Sequence, residues 1–573
     1  MSPPSLLDDV DAVQAQISRT MLQSGDWVTA RLDGIAYLEK SPLKYWMIAV
    51  SFAIFGVRDW AARLPLALSV VALCWLTYRF GVWGFGRKAG FYAGLTLSTC
   101  IGLFLFTRVQ IPDAALTLTI AMALFCLLRA LEDDEPRPER WAWLMWASLG
   151  VGLLLKGLIA VLFPAGAGLL YIVFARRDWR DCHKKLRPVS GVALLLLIAA
   201  PWHILATLRN PPYFDLTLHS EAGSYRGFFW FYFINEHLLR FLNLRYPRDY
   251  NTVPRLYFWA FHLLWLFPWS AYLPAAVRGE FRPVDRAGRA RLLALCWIGF
   301  VLVFFSFSTT QEYYSMPCYP ALALLIGAGI ARGGKLVLYG TRAVAIVSTL
   351  GLVAVGGILI AVRDIAAPGD IAAALTQNPD LYTLSLGHMT DLTLNSFAYL
   401  RLPLAVAALA FLVGASSAWM AGTNRAVIGI ALMMALFFHA ARLALVVFDP
   451  YLGSRPLAEA LNAEPPGRLV IDDQYYAFSS VFYYTNRDAL LLNGRVNNLV
   501  YGSYAPGAPD VFLDDAGFVR LWTGSERCYL VAAGPALPRF EKLVGKDRLQ
   551  VILQSGGKFL FRNTDRAITG AAQ

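Results

Sequence analysis

At 573 residues, 57% of them hydrophobic and only 16% charged, with a mean hydropathy of +0.49, the chain lies outside the range of a soluble globule and reads as a polytopic membrane protein. Its formal charge of +12 does not signal nucleic acid, because the basic residues fall in short clusters between apolar runs and suit loops facing anionic lipid. Five of the seven cysteines lie in or beside apolar runs, with Cys182 in a basic loop and Cys528 in the polar tail, which gives neither a disulfide framework nor a CxxC metal site.

The chain opens on "MSPPSLLDDVDAVQAQ", which has neither the basic start nor the apolar core of a signal peptide. Residues 12–60 are amphipathic rather than spanning, and "AVQAQISRTML" and "SPLKYWMIAVSFAIFGVRDWAARL" read as helices lying in the interface, with Tyr45 and Trp46 at headgroup depth. Apolar runs long enough to span follow near 64–84, 88–107, 112–131, 141–155, 157–175, 190–208, 256–277, 292–308, 317–331, 341–362, 401–421 and 426–447, about twelve helices. The basic loops beginning at 79, 129, 175, 277, 331 and 423 occupy every second gap. One orientation satisfies all of them, with the N-terminus, the 209–255 loop, the 363–400 loop and the C-terminal tail outside. From about residue 455 the pattern changes: "GRLVIDD", "ALLLNG", "CYLVAA" and "LQVILQSGGKFLFRN" read as short strands, with "LPRFEKLVG" helical. The expected architecture is a mainly α polytopic membrane protein, residues 1–454, with a small C-terminal α/β domain, residues 455–573, outside the membrane.

Two features break the positive-inside rule: the basic stretch "RGFFWFYFINEHLLRFLNLRYPRDY" from Arg226, and Lys156 alone at an outer helix end. Outside cations that orientation does not explain are candidates for holding an anion. With this topology Asp8, Asp9, Asp11, Glu39, Lys40, Asp113, Lys156, Glu236, His237 and Arg240 share the outer face. Carboxylates suit deprotonation of a nucleophile or support of an electron-poor sugar carbon, and cations suit a phosphate leaving group. Each residue alone has a plainer reading: Asp113 after Pro112 as a helix cap, Lys156 snorkelling to headgroups, Glu39–Lys40 as a surface pair, His237 as a satisfied hydrogen-bonding side chain. Their shared sidedness favours the functional reading.

At this point a family resemblance enters. "MLQSGDWVTARLDGIAYLEKSPLKYWMIA", residues 21–49, resembles the first-outer-loop signature of the protein mannosyltransferase and aminoarabinose transferase families, of GT-C fold and glycosyltransferase family 39 type. "DWAARLPLAL", "RVQIPDAALTL", "GLLLKGLIAVLFP", "PWHILATLRNPPYF", "FINEHLLRFLN" and "YYSMPCYPALALL" follow in the family's order. The resemblance implies a glycosyltransferase in the bacterial inner membrane that moves a sugar, of aminoarabinose type, from a polyprenyl phosphate donor to a lipid A-like, glycan or other envelope acceptor on the periplasmic side. A protein O-mannosyltransferase-like enzyme is the runner-up, and a lipid or solute transporter is disfavoured because the charges sit at one surface.

By the same resemblance Asp113 is the second-loop acid, Glu39 and Lys40 flank the lipid phosphate, Lys156 stands in a "KG" position, and His237 and Arg240 belong to the basic outer loop. The first-loop acid falls between Asp9 and Asp11, with Asp9 favoured. Tyr313 and Tyr314 are candidates to line the cavity, with aromatic packing as the alternative. No cofactor is required; should a divalent metal take part, Glu39 and His237 are the candidate ligands. Two departures stand out. Val13 and Gln14 replace an expected Arg and Tyr after the first acid, and a spanning helix normally precedes that acid, which implies a truncated or misassigned start.

Overall fold

A computed structural model describes residues 4–247, 253–308, 311–376, 378, 385–420 and 422–563. Its first part alternates short outer elements with apolar helices: α1 (Val10–Ser24), the strands β1 (Arg31–Leu32) and β2 (Ile35–Ala36), α2 (Leu43–Phe55), α3 (Asp59–Phe85), α4 (Arg87–Ser98), α5 (Ile101–Phe106), α6 (Asp113–Leu131), α7 (Pro138–Lys156) and α8 (Ile159–Phe174). Among the described residues eight helices are long and apolar enough to cross a membrane, and the pair Arg255–Trp265 and Trp269–Val277, bent by 88°, makes a ninth if counted as one broken span. The protein is therefore a multi-pass membrane protein, as its composition implies. The remaining apolar runs are helical too, but α4 and α5 break at Thr99–Cys100 and α8 has only 16 residues. Periodicity shows an apolar run; it does not show where the run bends.

Small residues allow the helices to approach closely. Gly81 and Gly90 bring α3 and α4 together so tightly that a Cβ on either would meet the other's backbone. Most of the bundle's buried side chains form one apolar cluster running from Leu73 to Met434.

The C-terminal part is a six-stranded sheet in the order β5-β4-β3-β6-β8-β7, built from β3 (Arg468–Asp472), β4 (Leu490–Leu492), β5 (Phe512–Leu513), β6 (Cys528–Ala533), β7 (Gln550–Ser555) and β8 (Lys558–Arg562). Strands β3 to β6 pair in parallel, and β8 and β7 add an antiparallel edge. Alternation along β3 and β6 divides the core in two. Leu469, Ile471, Tyr529 and Val531 pack with Val13, Ile17 and Met21 of α1, while Val470, Leu530 and Cys528 pack with Phe518, Trp522 and Phe540. The amphipathic stripe of α1, read from the sequence as facing headgroups, is thus used by the sheet. The first helix and the last hundred residues form one body, and this arrangement builds the site.

Candidate functional site

The backbone of Asp9 is the most unusual in the region. It sits just before α1 at φ 65° and ψ −122°, a left-handed conformation that costs a non-glycine residue of the order of 1–3 kcal/mol and persists only when its surroundings hold it. They do: the Asp9 N–H donates to the Tyr476 carbonyl at 2.8 Å, and the Ser479 hydroxyl donates to the Asp9 carbonyl at 3.1 Å. Both clamps come from the loop after β3.

Asp9 and Asp11, which the sequence left as alternatives, have different surroundings. Asp11 is 2% exposed. One of its carboxylate oxygens accepts from the Gln110 backbone N–H at 2.8 Å, and the other faces Arg63 at 3.5 Å. Asp11 thereby braces the "VQIPD" turn that delivers Asp113. Asp9 has surface open to solvent, yet that surface lies within protein walls. Burial first, then the charges of Asp11 and Asp8, push its carboxyl up to about 7. Asp8 itself is tied to Lys558 at 2.8 Å and to Ser454 at 2.6 Å.

A second carboxylate–cation group lies on the next segments. Asp113, at the first turn of α6, makes no side-chain cap; instead it receives the Lys156 ammonium at 2.6 Å. Its other oxygen is buried with no hydrogen-bond partner among the described residues. Lys156 lies over the rings of Tyr313 and Tyr314 at 5.1 and 5.2 Å, so it is not snorkelling to headgroups. Tyr314 in turn accepts from Arg240 at 3.4 Å.

Arg240 and Glu236 sit on or beside a π-helix, Trp230–Leu239, a rare geometry found disproportionately at functional sites. Glu236 is neutralised by Arg245 at 2.7 Å and by Arg240 at 3.1 Å. Glu39 is 7% exposed and pairs with Lys40 at 2.7 Å. Burial would raise its carboxyl, but Lys40, Arg245 and Arg240 bring it down to about 2, so it is a fixed anion near the π-helix cations.

His237 is enclosed by backbone groups. Its Nδ1 faces the Tyr232 carbonyl at 2.5 Å, and its Nε2 accepts the Leu158 backbone N–H at 3.3 Å. Both ring nitrogens are used, and burial holds the imidazole at about 4, so the ring is neutral and offers no free ligand nitrogen to a metal. Among the described residues no group of three or more His, Cys, Asp or Glu side chains is placed to hold a metal ion. Gly157, at φ 74°, exists to admit this ring: a Cβ there would overlap the imidazole. Replacing Gly157 by Ala should therefore lower the melting temperature by several degrees and displace Lys156, measurable as a thermal shift in detergent.

Sequence reasoning missed two participants. Lys44, in "EKSPLKYW", is 6% exposed and within electrostatic reach of Lys40, Asp113, Lys156 and Glu39; burial, then Lys40, hold its ammonium well below the usual value. It also lines an apolar groove with Gln110, Ser69 and Pro65. A lysine breaking an otherwise apolar helical start was the available signal. Tyr476, from the sheet's β3 loop, carried no signal at all. Its hydroxyl donates to Tyr37 at 3.0 Å, accepts from Asn498 at 3.0 Å, and feels the charges of both Glu39 and Asp9. Tyr476 therefore joins the Asp9 side of the site to the Glu39–Lys40 side.

The structure thus brings Asp9, Glu39, Lys40, Asp113, Lys156, Arg240, Tyr313 and Tyr314 to one end of the bundle beside the sheet, with Asp11 and His237 as their supports. Comparison with known proteins finds similarity in both sequence and fold. Residues 39–205 match the dolichyl-phosphate-mannose-protein mannosyltransferase family. The chain is 31% identical over 329 residues to an undecaprenyl phosphate-alpha-4-amino-4-deoxy-L-arabinose arabinosyl transferase of Pseudomonas fluorescens, covering 55% of this chain and 52% of that protein. It is 31% identical over 324 residues to the transferase of the same description from Aeromonas salmonicida, covering 55% and 54%. The chain spans about half the length of these curated relatives. Over 98% of the chain and 95% of the other, the structure superposes on ArnT from Cupriavidus metallidurans bound to undecaprenyl phosphate, with a TM-score of 0.78 at 23% identity. The chain therefore has the fold of that ArnT structure, and its similarity to the dolichyl-phosphate-mannose-protein mannosyltransferase family lies in residues 39–205.

Proposed function

We propose that this protein is a membrane glycosyltransferase that takes a sugar, of aminoarabinose type, from undecaprenyl phosphate and transfers it to an envelope acceptor on the periplasmic side of the bacterial inner membrane. The observation that carries this reading is the juxtaposition at one end of the bundle of an open carboxylate held near neutrality, Asp9, and the lysines gathered around Glu39 and Asp113. Asp9 takes the proton from the acceptor hydroxyl, whose oxygen attacks the anomeric carbon. The bond from that carbon to the phosphate oxygen breaks, and its electron pair leaves on the lipid phosphate. Lys40, Lys156 and Arg240 hold the charge that accumulates there. Asp113 keeps Lys156 pointed at that oxygen, and Tyr313 and Tyr314 wall the ammonium. A single displacement of this kind inverts the anomeric centre.

The test is release of undecaprenyl phosphate from an undecaprenyl phosphate-sugar by the purified full chain in liposomes, with lipid A and with envelope protein as alternative acceptors. Sugar appearing on the lipid supports the reading; sugar on protein would move the enzyme to the O-mannosyltransferase alternative. No release with either would overturn it. In the same assay Tyr476→Phe, which removes only the hydroxyl bridging to Tyr37, should lower kcat roughly three- to tenfold, in line with one hydrogen bond worth about 1 kcal/mol, and leave KM for the donor within twofold.

A further inference from the structure

Beyond the donor pocket, two guanidinium groups at the bundle's edge have no function assigned. The ring of Phe104 in α5 stacks flat on Phe438, centroids 4.2 Å apart and 3° from parallel, which pins α5 to the helix Thr423–Leu452. One turn further along each segment stand Arg108 and Arg442. Arg108 lies over Phe104 at 4.6 Å. It feels the like charges of Arg63 and Arg442 as well as the opposite charge of Asp11. Arg63 is satisfied, donating to the carbonyls of Pro4 at 2.8 Å and Ser5 at 2.7 Å and facing Asp11. Among the described residues neither Arg108 nor Arg442 has a side-chain hydrogen bond or an ion pair.

Depth defines the setting. Arg442 stands nineteen residues after Thr423 in a continuous helix, about 28 Å along it, which matches the far edge of a hydrocarbon core about 30 Å thick. Arg108 follows α5 at the same end, two residues before Gln110, whose backbone Asp11 holds. Apposed like charges at a lipid boundary are costly unless an anion sits between them, and a guanidinium fork matches a phosphate's oxygens in pairs.

We infer that Arg108 and Arg442 form a second phosphate-binding site, separate from the lysine pocket, for the headgroup of a phosphate-bearing lipid entering at the outer edge of the bundle near α1. The aromatic pair Phe104–Phe438 fixes their spacing, and Arg63, already committed to the N-terminal segment, adds field without competing for the ligand. The site is one of binding and does not depend on the transfer chemistry proposed above.

The experiment uses the full chain in phosphatidylcholine nanodiscs, with phosphatidic acid as the probe and native mass spectrometry to count retained lipid. Arg108→Gln with Arg442→Gln should weaken phosphatidic acid retention about tenfold, the Lys pair, which keeps the charge and loses the fork, should restore only part of it, and undecaprenyl phosphate retention should stay within twofold in both. The single variant R442Q, with a wild-type melting temperature, guards against misfolding and should show a partial loss. Unchanged phosphatidic acid retention in the folded double variant would overturn the site. Parallel loss of undecaprenyl phosphate would overturn its separateness, and displacement by equimolar inorganic phosphate would overturn the lipid assignment. Sugar transfer failing while this binding persists would count against the proposed activity alone.

Discussion

Asp9→Asn will lower kcat for sugar transfer by roughly 100- to 10,000-fold, the range that a positioned general base supplies, with little change in donor affinity. Asn preserves the shape of the side chain and removes only its ability to accept the proton. In the unmodified protein kcat/KM should fall on the acid side with a midpoint near 7, because the carboxyl of Asp9 is held at about 7 and only its deprotonated form works. Asp33 is also pushed to about 7, by burial in the β1–β2 turn, so Asp33→Asn is the control and should leave the midpoint in place. Stability runs the other way. A carboxyl whose folded value lies above its ordinary 3.8 binds more protons folded than unfolded between those limits, so its contribution falls as pH rises from about 4 to 7. Asp9→Asn should therefore be more heat-stable than the parent at pH 8 and no more so at pH 4. Wild-type turnover by a folded Asp9→Asn protein would remove the base from the mechanism.

The second large effect concerns Asp113. Its side chain is 3% exposed and carries the Lys156 ion pair, and removing one partner of such a buried pair costs about 3–5 kcal/mol. Asp113→Asn should lower the melting temperature and reduce transfer at least 100-fold, since Lys156 loses both its counter-charge and its aim. The double variant Asp113→Asn, Lys156→Met removes both charges and should recover most of the stability with none of the activity. Recovery of turnover in that variant would show that the pair only stabilises the fold.

What the sequence revealed follows from the kind of physics each feature uses. The apolar runs and the alternating strands were readable because burial imposes period and length over many residues, and "GRLVIDD" and "CYLVAA" became β3 and β6. The acids and cations were readable as sharing a side because loop charge sets orientation. Pairing was not: nothing local says that Asp113 meets Lys156 or that Arg245 neutralises Glu236. Lys44 offered only the signal of a lysine in an apolar helical start, and the π-helix was hidden by a sequence that suits an α-helix equally well. The plain reading of His237 as a satisfied hydrogen-bonding side chain left its partners open, and they are two backbone groups. Spacing left Asp9 and Asp11 as alternatives, and their different surroundings, with Gln110 and Arg63 engaging Asp11, come from segments distant in the sequence.

The clamp that Tyr476 and Ser479 place on Asp9 links positions separated by more than 460 residues. During synthesis the spanning helices among the described residues leave the ribosome before the segment after β3 that clamps Asp9 does. On the proposed mechanism, a nascent or C-terminally clipped chain would seat its helices in the bilayer and still lack the clamp on Asp9, so sugar transfer would await closure of the last strands over the first turn.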